Sequence, residues 1–515
     1  MQASQTKAIG LSRRLAAAMA GCFLFGATGC MPSADQNTPQ NGTTAEEARP
    51  EPGLEGIIKS GELVVLTIKS PTTYRKRGEE ISGYEVDLTK ALASDLNVDV
   101  SYKLYDSIDE LTEAIARGDG HIAAPGLSQR ELRLNTGGEE MVFGPAYANV
   151  KATVLCSRDS ANPRTVDDLQ DVDLGVVQGS GIEETLETLT DDRPELSWEA
   201  YTVASGVQIA QKVDAGALEC AVIDSNVVAI ARRIYPELDV MFSLTNADRQ
   251  LTWSIAPQSA DLNEYLVPWF QEAHTSGLLM DLDERYYGHL EHFDYFELIT
   301  FLKRVDTRLP RYEDDFRQAA ADHRLDWTIL ASQAYQESHW DPVAKSPTGV
   351  RGLMMLTRPT AREVGVKNRL DPLQSIRGGA LYMSRLYSRL PESVEGYDRL
   401  WLAMAAYNVG YGHLMDARRL ARQQGLDPDK WRNIKRTLPM LTKPEHYKDT
   451  RYGYARGYEP VHYVRRIREY DEALTRNVER PEQPPFKRSQ TEDIAEPPPA
   501  PEDRDDLVIG AGGAN

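Results

Sequence analysis

Cysteine is scarce, with four in 515 residues, so no dense disulfide framework can replace a hydrophobic core. Basic charge is also in deficit. Lys and Arg number 58 against 78 Asp and Glu, a formal charge of -20, which is the opposite of what a phosphate backbone attracts and argues against nucleic acid as a partner. No apolar run reaches the roughly 20 residues that cross a bilayer. The longest candidate is the alanine-rich stretch 15–27, and a multi-span membrane protein is excluded. Nucleotide and metal signatures are missing too. There is no P-loop lysine motif, and Gly179-Ser180-Gly181 stands alone. His289 and His292 sit three apart without a third ligand pattern and read as surface histidines, so neither a metal nor a cofactor is expected. What is present, 41% hydrophobic residues and 26% charged, describes a folded chain too long for one domain. Two or three domains are expected.

At the N-terminus, Arg13 and Arg14 precede the apolar block 15–25, which leads into Ala27-Thr28-Gly29-Cys30. This is a secretory signal layout. The cleavage region resembles a bacterial lipobox, with Ala27 where Leu is usual. The resemblance implies that Cys30 is acylated and becomes the new N-terminus; an ordinary cleaved signal with an incidental cysteine is the alternative. Met31 in place of Asp implies, by the same resemblance, a lipid anchor in the outer membrane, with the protein on the periplasmic face. Residues 31–52 have little to bury and read as a flexible tether. Residues 481–515, with Pro497-Pro498-Pro499 and an acidic cluster, read as a disordered tail. Export places Cys156 and Cys220 in an oxidising compartment. A bridge between them and two buried thiols both stay open.

Between tether and tail lie two regions of different texture. From 53 to 290, short β-branched runs (63–66, 174–177, 221–223) alternate with helical stretches such as 85–96, which predicts α/β layers with largely parallel sheets. Gly83-Tyr84-Glu85-Val86-Asp87-Leu88, Gly126-Leu127-Ser128, Gly144-Pro145-Ala146-Tyr147 and Gly175-Val176-Val177-Gln178-Gly179-Ser180 resemble the amino-acid-binding periplasmic solute-binding proteins. The resemblance implies two α/β lobes that close on a ligand, with the chain crossing between them twice. It also implies that Arg133 grips the ligand carboxylate and Asp224 its ammonium, the ligand being an amino acid or a short murein peptide. The alternative is that both are solvated surface groups.

From 291 to 480 the strand signal disappears and amphipathic helical patterns dominate (312–321, 327–338, 376–390, 400–408), predicting an all-α domain. Trp327, Leu330 and Ala334 form one apolar helical face, and Glu337 is the next member of that stripe. Asp341-Pro342 is expected to stop the helix, leaving Glu337 on its last turn, where desolvation and the negative end of the helix dipole both disfavour ionisation. Such a carboxylate serves either as a paired structural acid or as a general acid.

Glu337-Ser338, Gly352-Leu353-Met354-Met355-Leu356-Thr357 and Ala406-Tyr407-Asn408-Val409-Gly410 resemble the soluble-lytic-transglycosylase-like domains of the lysozyme superfamily. Met355 stands where that family usually has Gln. The resemblance implies that Glu337 is catalytic, that Ser338 and the backbone of Gly352, Leu353, Met354 and Met355 line a sugar groove, and that Tyr407, Asn408 and Tyr463 support the substrate or orient Glu337. Core packing is the competing role for the aromatics. The implied substrate is the peptidoglycan glycan strand. No second acid has a motif-level claim, so the expected reaction dispenses with water. The 6-hydroxyl of the muramic sugar attacks its own C1 and leaves a 1,6-anhydro end. A water-using muramidase, which needs two carboxylates, is the runner-up. A non-catalytic periplasmic binding or sensor protein is the third reading.

Overall fold

The computed structural model describes residues 49–478 apart from 78–79, 135–140, 161, 246 and 291–293. The signal sequence, Cys30, most of the tether and the C-terminal tail lie outside the described residues.

The first region builds two five-stranded sheets. In one, the strand order is Asp99–Tyr105, Glu62–Ile68, Ile122–Ala123, Ser254–Ile255, Val142–Phe143; in the other it is Glu199–Tyr201, Leu174–Val177, Cys220–Asp224, Ala152–Ser157, Leu238–Ser243. Residues 63–68 and 152–156 are buried without interruption, as strands covered on both faces must be. The chain passes from one lobe to the other at Ala148–Val150 and returns at Arg249–Leu251, and these two short strands pair antiparallel. Each sheet is parallel except for one reversed strand. That strand is the one that follows the crossing, Ala152–Ser157 in the second lobe and Ser254–Ile255 in the first. Cys156 and Cys220 face each other across the second sheet and form a disulfide.

The second region is helical. Its helices begin on side-chain caps where the sequence supplies them: Asp294 accepts from the amide of Glu297, Asp326 from Thr328, Thr357 from Thr360 and Asp371 from Gln374. Each satisfies an otherwise orphan amide. The 21-residue helix Tyr458–Val478 runs along Trp327–Ser338 and Gly396–Val409. It contributes Tyr470, Ala473 and Leu474 to one apolar cluster and Tyr463, Val464 and Ile467 to another.

This same helix carries part of the contact with the first region. Buried Arg468 donates to Glu284 Oε1 at 2.9 Å and to the Glu284 carbonyl at 2.5 Å, and stacks over Trp401 at 4.0 Å from the ring centroid. Lys435 reaches the other Glu284 oxygen at 2.5 Å, and Arg77 pairs with Asp326 at 2.7 Å. His289 is not the surface histidine expected. It is 6% exposed and its Nδ1 accepts from Arg468 at 3.1 Å, because this inter-region contact covers it. His292 lies outside the described residues.

Candidate active site

The helix Trp327–Ser338 ends ahead of the Asp341-Pro342 pair. The reversal is made by His339 and Trp340, which adopt φ of 53° and 58°, left-handed values unusual for side-chain-bearing residues. Burial of Trp340 holds it in place: its indole donates to the Ala331 carbonyl at 2.9 Å and packs on Phe301 and Tyr335. Asp341 turns the chain onward by accepting from the amide of Val343 at 3.0 Å.

Glu337 therefore sits on the final helical turn, partly buried. Its Oε1 accepts from the Tyr463 hydroxyl at 2.6 Å. Burial raises its pKa to about 7, and the hydrogen bond from Tyr463 acts in the opposite sense. Among the described residues, no second carboxylate contributes to that shift. A group poised this way gives up a proton and recovers it near neutral pH.

A tightly pinned segment faces it. The Ser338 hydroxyl reaches the carbonyls of Leu353 at 2.9 Å and Ala334 at 3.1 Å, so it ties the helix end to the Gly352 turn. Gly352 has φ 87°, and a Cβ there would lie 1.9 Å from the Arg369 carbonyl oxygen. The amide of Met354 donates to Ser375 at 3.1 Å, and its carbonyl accepts from the Tyr407 hydroxyl at 2.8 Å. Leu353 and Met354 bury their side chains completely, whereas Met355 is half-buried. Burial and nearby Glu337 both push the Tyr407 phenol well above its ordinary range. Glu337, Ser338, the Gly352 turn, Tyr407 and Tyr463 thus form one cluster. Asn408 lies exposed on the next position of the Tyr407 helix, and no side-chain hydrogen bond joins it to the cluster among the described residues. Sequence reasoning missed Gln333, fully buried one turn before Glu337, whose amide nitrogen donates to Tyr463 at 3.1 Å. Its spacing of four from Glu337 was the available signal.

In the first region Asp224 takes Arg249 as its ion-pair partner, and Arg249 also meets buried Glu131 at 2.5 Å. Burial works against ionisation of Glu131, but Arg249 and the Ser128 donors outweigh it and hold its pKa below the usual range. Arg133 is exposed, with its guanidinium 5.0 Å from the Phe143 ring centroid. A cavity of about 90 Å³ lies beside the crossing strands, lined in part by Tyr84, Glu85, Tyr147, Asn226, Asp283 and Tyr287. At its wall buried Glu85 accepts from Tyr147 and from the Trp253 indole, and burial raises its pKa to about 7. Glu85 was read only as part of a family motif, and Arg249 was not singled out.

Comparison with known proteins matches both regions. The transglycosylase SLT domain matches residues 314–429, and the bacterial extracellular solute-binding proteins, family 3, match residues 63–289. The chain is 46% identical over 418 residues to membrane-bound lytic murein transglycosylase F of Maricaulis maris (strain MCS10), covering 81% of this chain and 91% of the relative. It is 40% identical over 432 residues to the protein of the same name from Ectopseudomonas mendocina (strain ymp), covering 84% and 87%. Among solved structures, an ancestral arginine-binding protein bound to arginine aligns with TM-score 0.40 and 19% identity over 44% of this chain and 98% of that one. The ancestral amino-acid-binding protein AncCDT-1 aligns with TM-score 0.39 and 23% identity over 45% and 98%. With a solute-binding domain leading into a transglycosylase domain, and two relatives at 40% identity or more along most of their length, the chain belongs to the membrane-bound lytic murein transglycosylase F family.

Proposed function

We propose that this chain is a peptidoglycan lytic transglycosylase that cleaves the bond between N-acetylmuramic acid and N-acetylglucosamine with Glu337 as sole acid and base. The observation that carries the reading is a partly buried carboxyl with a pKa of about 7, one phenolic donor and, among the described residues, no second carboxylate acting on it. In the first half-reaction the Glu337 proton passes to the glycosidic oxygen as the C1–O bond breaks and its electron pair stays with the leaving sugar. In the second, the muramic 6-hydroxyl forms the O6–C1 bond and its proton returns to Glu337. Atoms balance without water, and the enzyme ends as it began. The intramolecular attack has the high effective molarity that makes a second acid unnecessary. The Gly352 to Met355 backbone, Ser338, Tyr407, Asn408 and Tyr463 are assigned to the glycan groove or its support. The test is Glu337→Gln on purified sacculi. The amide keeps size and packing but can neither give nor recover the proton, so release of anhydromuropeptides should fall by about two to four orders of magnitude. A folded variant with near wild-type release would remove the assignment.

Membrane attachment and regulation belong to the same reading. No described helix is long and apolar enough to cross a membrane, and the relatives are named as membrane-bound. Acylated Cys30 in the outer membrane would supply the attachment, and radiolabelled palmitate incorporation that survives Cys30→Ala would contradict it. The first domain is assigned murein peptides or amino acids as ligands, with Arg133 and Asp224 as contacts once Asp224 is released from Arg249. Calorimetry with such ligands tests this, and the absence of heat with any of them reduces the domain to a scaffold.

A further inference from the structure

Tyr463 has a single hydroxyl hydrogen and two hydrogen-bond partners among the described residues. One is the Gln333 amide nitrogen at 3.1 Å, the other Glu337 Oε1 at 2.6 Å. An amide NH2 donates and cannot accept. The phenol hydrogen is therefore directed to Glu337, and the order of donation runs Gln333 to Tyr463 to Glu337. The arrangement is held at a cost. Gln333 is fully buried, and its Oε1 has no partner among the described residues, a position that an apolar side chain of similar size would fill without leaving an orphan acceptor. On the carboxyl itself, Oε1 is occupied by the phenol, whereas Oε2 takes no hydrogen bond among the described residues.

We propose that Gln333 is a positioning residue of the cleavage reaction: its amide fixes Tyr463 as a donor to Glu337 Oε1 and so leaves Oε2 as the oxygen that carries, gives up and recovers the catalytic proton. Gln333 touches neither substrate nor reacting atoms in this scheme; it acts through Tyr463. The titratable groups that face Glu337 are Tyr463 from the last helix and Tyr407 from the helix Gly396–Val409, and the Gly352 to Met355 turn adds none. Burial holds both phenols well above their ordinary range, so neither gains charge where the enzyme works. Burial, followed by Arg304, Arg308 and Arg466, lowers the pKa of the nearby His339 to about 4, so it stays neutral where the enzyme works. Glu337 is thus the group whose titration Gln333 controls.

The inference rests on Glu337 being the acid, and the experiment separates the two. Rates of the full chain on soluble, uncrosslinked glycan strands are measured across pH for the wild type, Gln333→Met, Gln333→Glu, Tyr463→Phe and the Gln333→Met/Tyr463→Phe double variant, with Glu337→Gln as reference. Methionine keeps the volume and removes the donor. Glutamate keeps the shape and accepts, so Tyr463 turns its hydrogen away from Glu337. Losing a hydrogen bond to an ionised group raises the Glu337 pKa, so the high-pH limb, where the acid form is lost, should move up by about one unit in Gln333→Glu, and by less in Gln333→Met, which loosens the phenol without offering it a new acceptor. We expect kcat to fall about tenfold, less than the about 10²–10⁴-fold of losing the acid–base group itself, with KM within about twofold. Tyr463→Phe should move the limb likewise, and adding Gln333→Met to it should do nothing more. Because methionine removes an unpaired buried oxygen, Gln333→Met should melt no lower than the wild type. Folded Gln333→Met and Gln333→Glu proteins with the wild-type limb, or an additive double variant, would overturn the proposal. Near wild-type activity of Glu337→Gln would instead overturn the active-site assignment on which it stands.

Discussion

At neutral pH Glu337 divides between acid and carboxylate, because burial lifts its pKa to about 7 against the pull of the Tyr463 hydrogen bond. Two outcomes follow from the sign of that shift. The rate on glycan strands should fall as pH rises through about 7, since the proton needed by the leaving oxygen is lost; a pH-rate profile checks it. The same shift links to stability. A carboxyl whose folded pKa is raised contributes its full stability below its unfolded pKa, and that contribution is lost as pH rises through the folded value. Above about pH 7 the wild type therefore carries a desolvated carboxylate that Glu337→Gln does not. The variant should melt at a higher temperature than the wild type at about pH 8, with the gap shrinking towards about pH 5. Equal melting differences at both pH values would show that Glu337 keeps an ordinary pKa. The position of Glu337 was legible in the sequence because the apolar stripe of Trp327, Leu330 and Ala334 runs into it. Its partner Tyr463 lies 126 positions away and came only through family resemblance. The direction of the hydrogen bond set by Gln333 depends on Tyr463 arriving from another helix, so only the spacing of four between Gln333 and Glu337 was legible.

The Gly352 turn holds its form by close approach rather than by its own propensity. With φ at 87° and the Arg369 carbonyl 1.9 Å from where a Cβ would stand, Gly352→Ala must displace backbone. It should lower stability by more than about 1 kcal/mol and weaken catalysis as well, because Ser338 and Tyr407 are anchored to the same turn. Thermal unfolding alongside the sacculus assay measures both. The helix Trp327–Ser338 was legible in extent, yet its stop was assigned to Asp341-Pro342 whereas burial of Trp340 enforces it earlier. Periodicity marks which face is apolar but not which single indole will be driven inward after the last turn. The sheets show a similar boundary. Alternating strand and helix predicted parallel layers, and the one reversed strand in each follows from the two crossings between lobes, a feature of connectivity that no local pattern carries. For Cys156 and Cys220 the sequence left two options, and their register across adjacent strands joins them. Denatured, unreduced protein should show no reactive thiol from this pair. With 64 residues of sequence separation, reduction should cost the native state about 4 kcal/mol by loop entropy.

Across the whole molecule, the two regions meet through charges that are largely withdrawn from water. Arg468 is 6% exposed and bridges Glu284 to the helix that also supplies Tyr463. Removing Arg468 leaves Glu284 with Lys435 as its remaining partner, a loss towards the lower end of the about 3–5 kcal/mol that breaking a buried pair costs. Arg468→Ala should therefore lower the melting temperature sharply, and calorimetry should resolve separate transitions for the two regions; a single unchanged transition would show that the contact does not join them. If the first domain regulates the second, murein peptides at saturation must change the rate of the full chain, by no more than their differential affinity for its two states. Equal rates leave tethering as the domain's role. The central claim is that the glycan is cut without water by one carboxyl. Sacculi digested by the full chain in 18O-labelled water, with mass spectrometry of the muropeptide ends, test it most directly. Water-free cleavage predicts 1,6-anhydromuramic ends, lighter than reducing ends by one water and free of label, and their disappearance with Glu337→Gln. Reducing ends that carry the label would contradict it.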